Sequence, residues 1–155
     1  MINNDVLRSV RFTLNVDDAA LAAIIGLGEG DVSAAQVSAF LRRDDDPAYV
    51  LCSDQVMASF LDGLIVHRRG RDETAPQRRP ETTITNNTVL KKLRVAFSLR
   101  EDDLLKLMHG AGFKVSRPEL SALFRSPTHP NHRACGDQFL RCFLKSLTNQ
   151  VRASS

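Results

Sequence analysis

The sequence predicts an all-α protein built from two tandem homologous four-helix repeats joined by a basic linker. Three observations carry that prediction. Sliding the 155-residue chain against itself by 83 positions lays residues 3–64 on 86–147, with 18 identities in 62 positions and no gap. Each copy holds four segments whose apolar residues recur at spacings of three and four, which lines one face of a helix. No alternating apolar and polar run is long enough to build a sheet. Self-similarity at a fixed offset is the signature of a repeated supersecondary unit.

The identities fall throughout the unit. Asn3-Asn4 lies on Asn86-Asn87, Val6-Leu7 on Val89-Leu90, Arg11 on Arg94 and Leu21 on Leu104. Val32-Ser33 meets Val115-Ser116, Ser38-Ala39 meets Ser121-Ala122, and Arg42 meets Arg125. Pro47, Cys52, Asp54-Gln55, Phe60-Leu61 and Leu64 fall on Pro130, Cys135, Asp137-Gln138, Phe143-Leu144 and Leu147.

The first helix is expected over about Asn4–Leu14 and Asn87–Phe97, with Leu7, Val10 and Leu14 matched by Leu90, Leu93 and Phe97. The Asn pairs stand where its cap should be. The second helix is expected near Asp17–Leu27 and Glu101–Ala111. Its acidic first turn suits the positive end of the helix dipole, and the glycines that follow (Gly28 and Gly30; Gly110 and Gly112) stop it. The third helix has the clearest start. Ser33 with Gln36, and Ser116 with Glu119, have capping-box spacing, and Pro118 is tolerated in a first turn that lacks N–H partners. The fourth helix starts near Asp54 and Asp137, which are expected to cap it.

These elements divide the chain into an acidic first repeat (1–65), a linker (66–85), a basic second repeat (86–148) and a tail (149–155). Residues 3–64 carry four Lys/Arg against ten Asp/Glu, a net −6, whereas residues 86–147 carry eleven against five, a net +6. Opposite halves should attract each other or different partners. A 62-residue unit is small for an independent core, so the copies are expected to pack together or to dimerise.

The composition, 43% hydrophobic and 25% charged, is that of a globular protein. No apolar run approaches a membrane span, the N-terminus does not read as a secretory signal, and three cysteines suggest a reducing compartment. A cytoplasmic protein is therefore expected. No P-loop, GxSxG, HExxH or CxxC spacing occurs, and Gly26-Leu27-Gly28-Glu29-Gly30 follows a helix rather than a strand, so a dinucleotide reading fails on context. One Tyr and no Trp leave few platforms for stacking single-stranded bases. No enzyme activity and no cofactor are expected.

Four groups of residues bear chemistry. His129, His132, Cys135 and Cys142 have donor types that bind zinc. Only Cys135 has a counterpart in the other copy, since His129 matches Asp46 and His132 matches Tyr49, so no metal is expected and Cys52 and Cys135 are read as small buried hydrophobes. Arg11, Arg94, Arg42 and Arg125 are duplicated; phosphate binding is one reading, and pairing with Asp54 or Asp137 is the favoured one. The second and third helices of the basic copy read as a helix-turn-helix carrying Arg117, Ser121 and Arg125, although the turn is longer than the usual three or four residues. Lastly, Arg68, Arg69 and Arg71 open the linker and Arg78-Arg79 lie further along it.

The words GDQFLRCFLKSL (136–147), KKLRVAF (91–97) and ELSALFR (119–125), with their counterparts in the first half, resemble the YehS-like family of bacterial proteins, a duplicated domain of unknown function. The resemblance covers nearly the whole chain outside the linker and tail. It implies a bacterial, cytoplasmic origin and a two-copy helical layout, and it brings no activity or catalytic residue. Where it leads one to expect an aromatic, this chain has His132.

The expected function is a non-enzymatic binding module with nucleic acid as partner. Lys91, Lys92, Arg94, Lys106, Lys114, Arg117 and Arg125 of the second repeat, with Arg68, Arg69 and Arg71, would neutralise phosphates. The alternative is a protein-interaction or homo-oligomeric scaffold in which basic and acidic halves meet.

Overall fold

The computed structural model describes residues 1–74 and 81–154. Among the described residues are eight helices and no strand: α1 (Asn3–Leu14), α2 (Asp18–Leu27), α3 (Ala34–Leu41), α4 (Asp54–Arg69), α5 (Asn86–Ala96), α6 (Glu101–Gly110), α7 (Arg117–Leu123) and α8 (Asp137–Ala153). Moved by 83 positions, α1–α4 fall on α5–α8 to within one residue at every end. The turns repeat as well. Asn15 and Ser98, each at φ 54°, follow the first helix of their copies. Glu29 at φ 68° and Gly112 at φ 77° share the turn after the second. A left-handed residue disfavoured for L-amino acids therefore recurs although its identity has changed.

The capping boxes form as the sequence predicts. Ser33 Oγ accepts from Gln36 N at 3.1 Å while Gln36 Oε1 accepts from Ser33 N at 2.8 Å, and Ser116 and Glu119 repeat the exchange at 3.3 and 3.2 Å. Two other expectations are corrected. The Asn pairs do not cap the first helix, because they lie within its first turn. Ile2 and Thr85 precede it, and Thr85 Oγ1 accepts from Thr88 N. Asp54 and Asp137 do not cap the fourth helix either. Ser53 accepts from Val56 N, and Gly136 stands at the cap of α8.

Instead, these residues form one staple, made twice. Asn4 Nδ2 donates to Phe40 O and Val50 O at 3.0 and 2.9 Å, and its Oδ1 accepts from Cys52 N at 3.0 Å. Asn87 does the same with Leu123 O, Arg133 O and Cys135 N, at 2.9, 2.8 and 2.9 Å. Asn3 Nδ2 donates to Cys52 O and Asp54, as Asn86 Nδ2 does to Cys135 O and Asp137. Each pair thus ties the start of the first helix to the loop joining the third and fourth. An amide suits the task because it carries both donors and acceptors.

The two copies pack against each other within the chain by exchanging partners. α1 lies on α8, and α4 lies on α5; in both contacts the first helix of one copy meets the fourth of the other. The same reciprocity appears at the chain entries. Ile84 N donates to Asp54, and the counterpart of Ile84, Met1, gives its ammonium to Asp137 at 2.6 Å. One apolar cluster draws on all eight helices, including Leu7, Ile24, Val37 and Leu64 from the first copy and Leu93, Leu104, Leu120 and Phe143 from the second. Across the join, Thr13 and Thr148 hydroxyls meet at 2.6 Å in a buried site, and Lys92 Nζ reaches Asp62 at 2.7 Å. The apolar cluster dominates this join, with opposite charge adding local pairs.

The fourth helix is longer than expected in both copies. α4 continues through Val66–Arg69, so the linker begins at Gly70 rather than at residue 66, and α8 runs to Ala153. Basic residues suit the negative end of a helix, which explains why an arginine-rich stretch stays helical. The linker arginines Arg78 and Arg79 lie outside the described residues. No helix among the described residues is long and apolar enough to cross a membrane.

Candidate functional site: an arginine cleft in the second repeat

The ten basic residues singled out in the sequence fall into two sets. Six are engaged within the fold. Arg68 Nε donates to Ala96 O at 3.2 Å with its guanidinium 4.0 Å over the Phe97 ring, Arg69 donates to Val95 O, and Arg71 to Leu27 O. These three satisfy carbonyls at or near the ends of α5 and α2, which otherwise lack intrahelical donors. Lys92, only 7% exposed, is held by Asp62. Arg117 bridges Asp102 at 2.6 Å and Glu101 at 3.9 Å, and those acids hold its charge more firmly than usual. Arg94 is fixed by its Nε, which donates to Leu99 O at 3.1 Å, and by stacking 4.5 Å over the Phe124 ring. The other four, Lys91, Lys106, Lys114 and Arg125, are exposed, and none faces a carboxylate within ion-pair distance among the described residues.

Arg94 and Arg125 come together. With Glu101, Leu120, Ser121 and Phe124 they line a cleft of about 350 Å³ beside α7. Because Nε alone of Arg94 is used, its two Nη groups have no hydrogen-bond partner among the described residues, nor does the Ser121 hydroxyl. The cleft therefore combines two guanidinium groups, a hydroxyl and the Glu101 carboxylate with an apolar wall from Leu120 and Phe124.

Comparison of the copies explains why these arginines are unneutralised. In the first repeat Arg11 pairs with Asp18 at 3.6 Å and Arg42 with Asp46 at 3.2 Å. This corrects the expected pairing with Asp54 and Asp137. In the second repeat Glu101 replaces Asp18, and its carboxylate lies 3.9 Å from Arg117. His129 replaces Asp46. The Asp46 carboxylate also accepts from Ala48 N at 2.8 Å, a bond that, with Arg42, holds it below the usual carboxylate range. His129 keeps that turn, since its Nδ1 accepts from Asn131 N at 3.0 Å. With Nδ1 accepting, the proton of the neutral ring sits on Nε2, so the 3.3 Å approach of Arg125 Nη1 to Nε2 offers the guanidinium no acceptor. The turn is preserved and its negative charge is gone.

The residues with zinc-donor chemistry are engaged separately. His132 Nδ1 donates to Arg125 O, Cys135 Sγ lies against Gly136 O, and Cys142 is half-buried on α8. Cys52 and Cys135 are both buried, and burial pushes their thiols up to about 12 and about 11. Among the described residues no group of three or more His, Cys, Asp or Glu is placed to hold a metal ion. The helix-turn-helix corner exists as α6 and α7, but six residues separate them and the acids Glu101 and Asp102 stand at the N-terminus of α7 against Arg117.

Fold and site together define a tandem duplicate: one helical scaffold present twice, with its paired arginines neutralised in one copy and open in the other. Residues 3–70 and 86–153 each match the family described as a protein of unknown function, DUF1456, and the chain belongs to that family. It is 49% identical over 147 residues, 95% of this chain and 94% of the relative, to the uncharacterized protein YehS of Escherichia coli (strain K12). No solved structure matches it.

Proposed function

We propose that this is a non-catalytic binding protein whose basic second repeat takes a phosphate-bearing partner, with nucleic acid as the macromolecule that fits. The observation supporting this reading is that Lys91, Lys106, Lys114 and Arg125 are exposed and have no carboxylate partner among the described residues, whereas Arg42, the first-repeat counterpart of Arg125, has one. Cations without internal counter-ions condense readily on a phosphate backbone and release its bound salt ions. The test is duplex DNA binding titrated with salt. Log affinity should fall linearly with log salt, and Lys91→Gln with Lys106→Gln and Lys114→Gln should flatten the slope. Absence of binding at low salt overturns the reading.

A second reading, a protein partner on the acidic repeat, is favoured by three exposed apolar side chains of that repeat. Ile2, Val50 and Leu51 are 47%, 49% and 65% exposed, and their counterparts in the second copy are Thr85, Arg133 and Ala134. Sedimentation at low and high salt separates the readings: assembly between charged repeats of different chains dissociates as salt rises, whereas an apolar contact does not.

A further inference from the structure

We infer that the cleft between Arg94 and Arg125 is a seat for a single phosphoryl group, with the ester carrier lying against Leu120 and Phe124. The inference rests on the phosphate-bearing partner proposed above and assigns it a particular place. Three observations converge. Arg94 is preorganised: its Nε bond to Leu99 O and its stack on Phe124 fix the guanidinium while leaving both Nη groups without hydrogen-bond partners among the described residues. A guanidinium held in this way loses little freedom on binding and presents the planar fork that fits phosphate oxygens. Arg125 and the Ser121 hydroxyl line the same cleft as Arg94, so two cations and a hydroxyl share one space with a single carboxylate, that of Glu101. Finally, the first copy has the same arginines closed by Asp18 and Asp46, whereas the second has Glu101 beside Arg117, and His129 in place of Asp46. An incoming anion thus fills the place that Asp46 occupies beside Arg42.

The cleft is larger than a phosphate group, and besides the Glu101 carboxylate its remaining wall is formed by Leu120 and Phe124, which suits a phosphate monoester with an aromatic or aliphatic body. A nucleic-acid backbone offers the same oxygens as a diester. The two sources share the phosphoryl chemistry and are separated by the probes below.

The experiment is calorimetric titration of the full chain with phenyl phosphate and, separately, with a short DNA duplex. Wild type should bind one phenyl phosphate saturably. Arg125→Gln should weaken it roughly tenfold or more, the worth of a charge-assisted hydrogen bond. His129→Asp, which restores the counter-ion of the first copy, should do the same while leaving Arg94, Arg125 and Ser121 in place. Arg42→Gln, the matching change in the first copy, should leave binding unchanged. These exposed positions should not alter the thermal midpoint greatly, and circular dichroism checks each variant. Failure of phenyl phosphate to bind, or binding that is indifferent to Arg125→Gln and His129→Asp, overturns the seat. If duplex binds and phenyl phosphate does not, the seat falls while the nucleic-acid reading stands. If phenyl phosphate binds with the stated variant pattern and duplex does not, the seat stands and its ligand is a small phosphate ester.

Discussion

Asn4 is fully buried and makes three hydrogen bonds to backbone groups that have few other partners, so its amide acts as a substitute for secondary structure in the loop before α4. Asn4→Ala should lower stability by about 2–4 kcal/mol, since it strands buried polar groups. Asn87→Ala should cost less, because two of the three bonds of Asn87 are only partly shielded and one is exposed. Urea midpoints of the two variants test that order. The cysteines next to the staple give a pH signature. Their thiols are held above the ordinary value of 9.0, so the neutral form is favoured by the fold. Stability from this source is intact below about pH 9 and declines as pH rises toward 11 and 12, because the unfolded chain ionises first. A Cys52→Ala, Cys135→Ala double variant should lose less stability than wild type over that alkaline range, read by denaturant titration at each pH. At this scale the sequence was half legible. Duplication marked Asn3-Asn4, Asp54 and the arginines as parts of the scaffold, but capping was the nearest local explanation for the asparagines and Asp54, and the true partners of Asn3 and Asn4 lie 36 to 51 residues away. The replacement of Asp46 by His129 was visible in the alignment. Its meaning, a lost counter-ion, required knowing that residue 46 faces Arg42.

Among the described residues, periodicity sufficed to place all eight helices, because each carries its apolar stripe, whereas the caps of the first and fourth helices were misread. What periodicity does not encode is how closely two helices approach. Gly28 and Gly63 are there for that reason. A Cβ on Gly28 would stand 1.8 Å from Ser59 O, and one on Gly63 would stand 1.9 Å from Ile24 O, so α2 and α4 pack backbone against backbone. The second copy has Ala111 and Ser146 at these places, and α6 lies less closely on α8. Gly63→Ala must separate the two helices and should cost at least about 3 kcal/mol, the upper range for overpacking. Gly110, by contrast, is helical with nothing within 4 Å of its missing Cβ. Gly110→Ala should therefore be neutral or stabilising by roughly 0.5–1 kcal/mol, through the lower entropy of the unfolded chain. Melting the two variants beside wild type tests both signs at once. If Gly63→Ala melts with wild type, the close approach of α2 and α4 is not present in solution.

For the whole molecule, the duplication reads as two domains, yet the packing makes one. α1 lies more extensively on α8 than on α4 of its own copy, and α4 in turn covers α5. Cutting the chain in the linker would strip each first helix of its main partner and expose the apolar residues that line the join. A unit of this size buries too small a share of its surface to absorb that loss. The segments 1–70 and 86–155, made separately, should consequently show weak helicity and no cooperative melt. Mixed at equal concentration, they should recover the helical signal and a single transition whose midpoint rises with concentration, as mass action requires of a two-chain fold. The ion pair of Lys92 with Asp62 reports on the same join: Lys92→Met in one segment should retain reassembly, because replacing a largely buried cation by an apolar side chain of similar length keeps the packing while removing the charge that needs a partner. Two segments that each melt cooperatively alone, at a midpoint independent of concentration, would show that the exchange of first helices is not what holds the halves together.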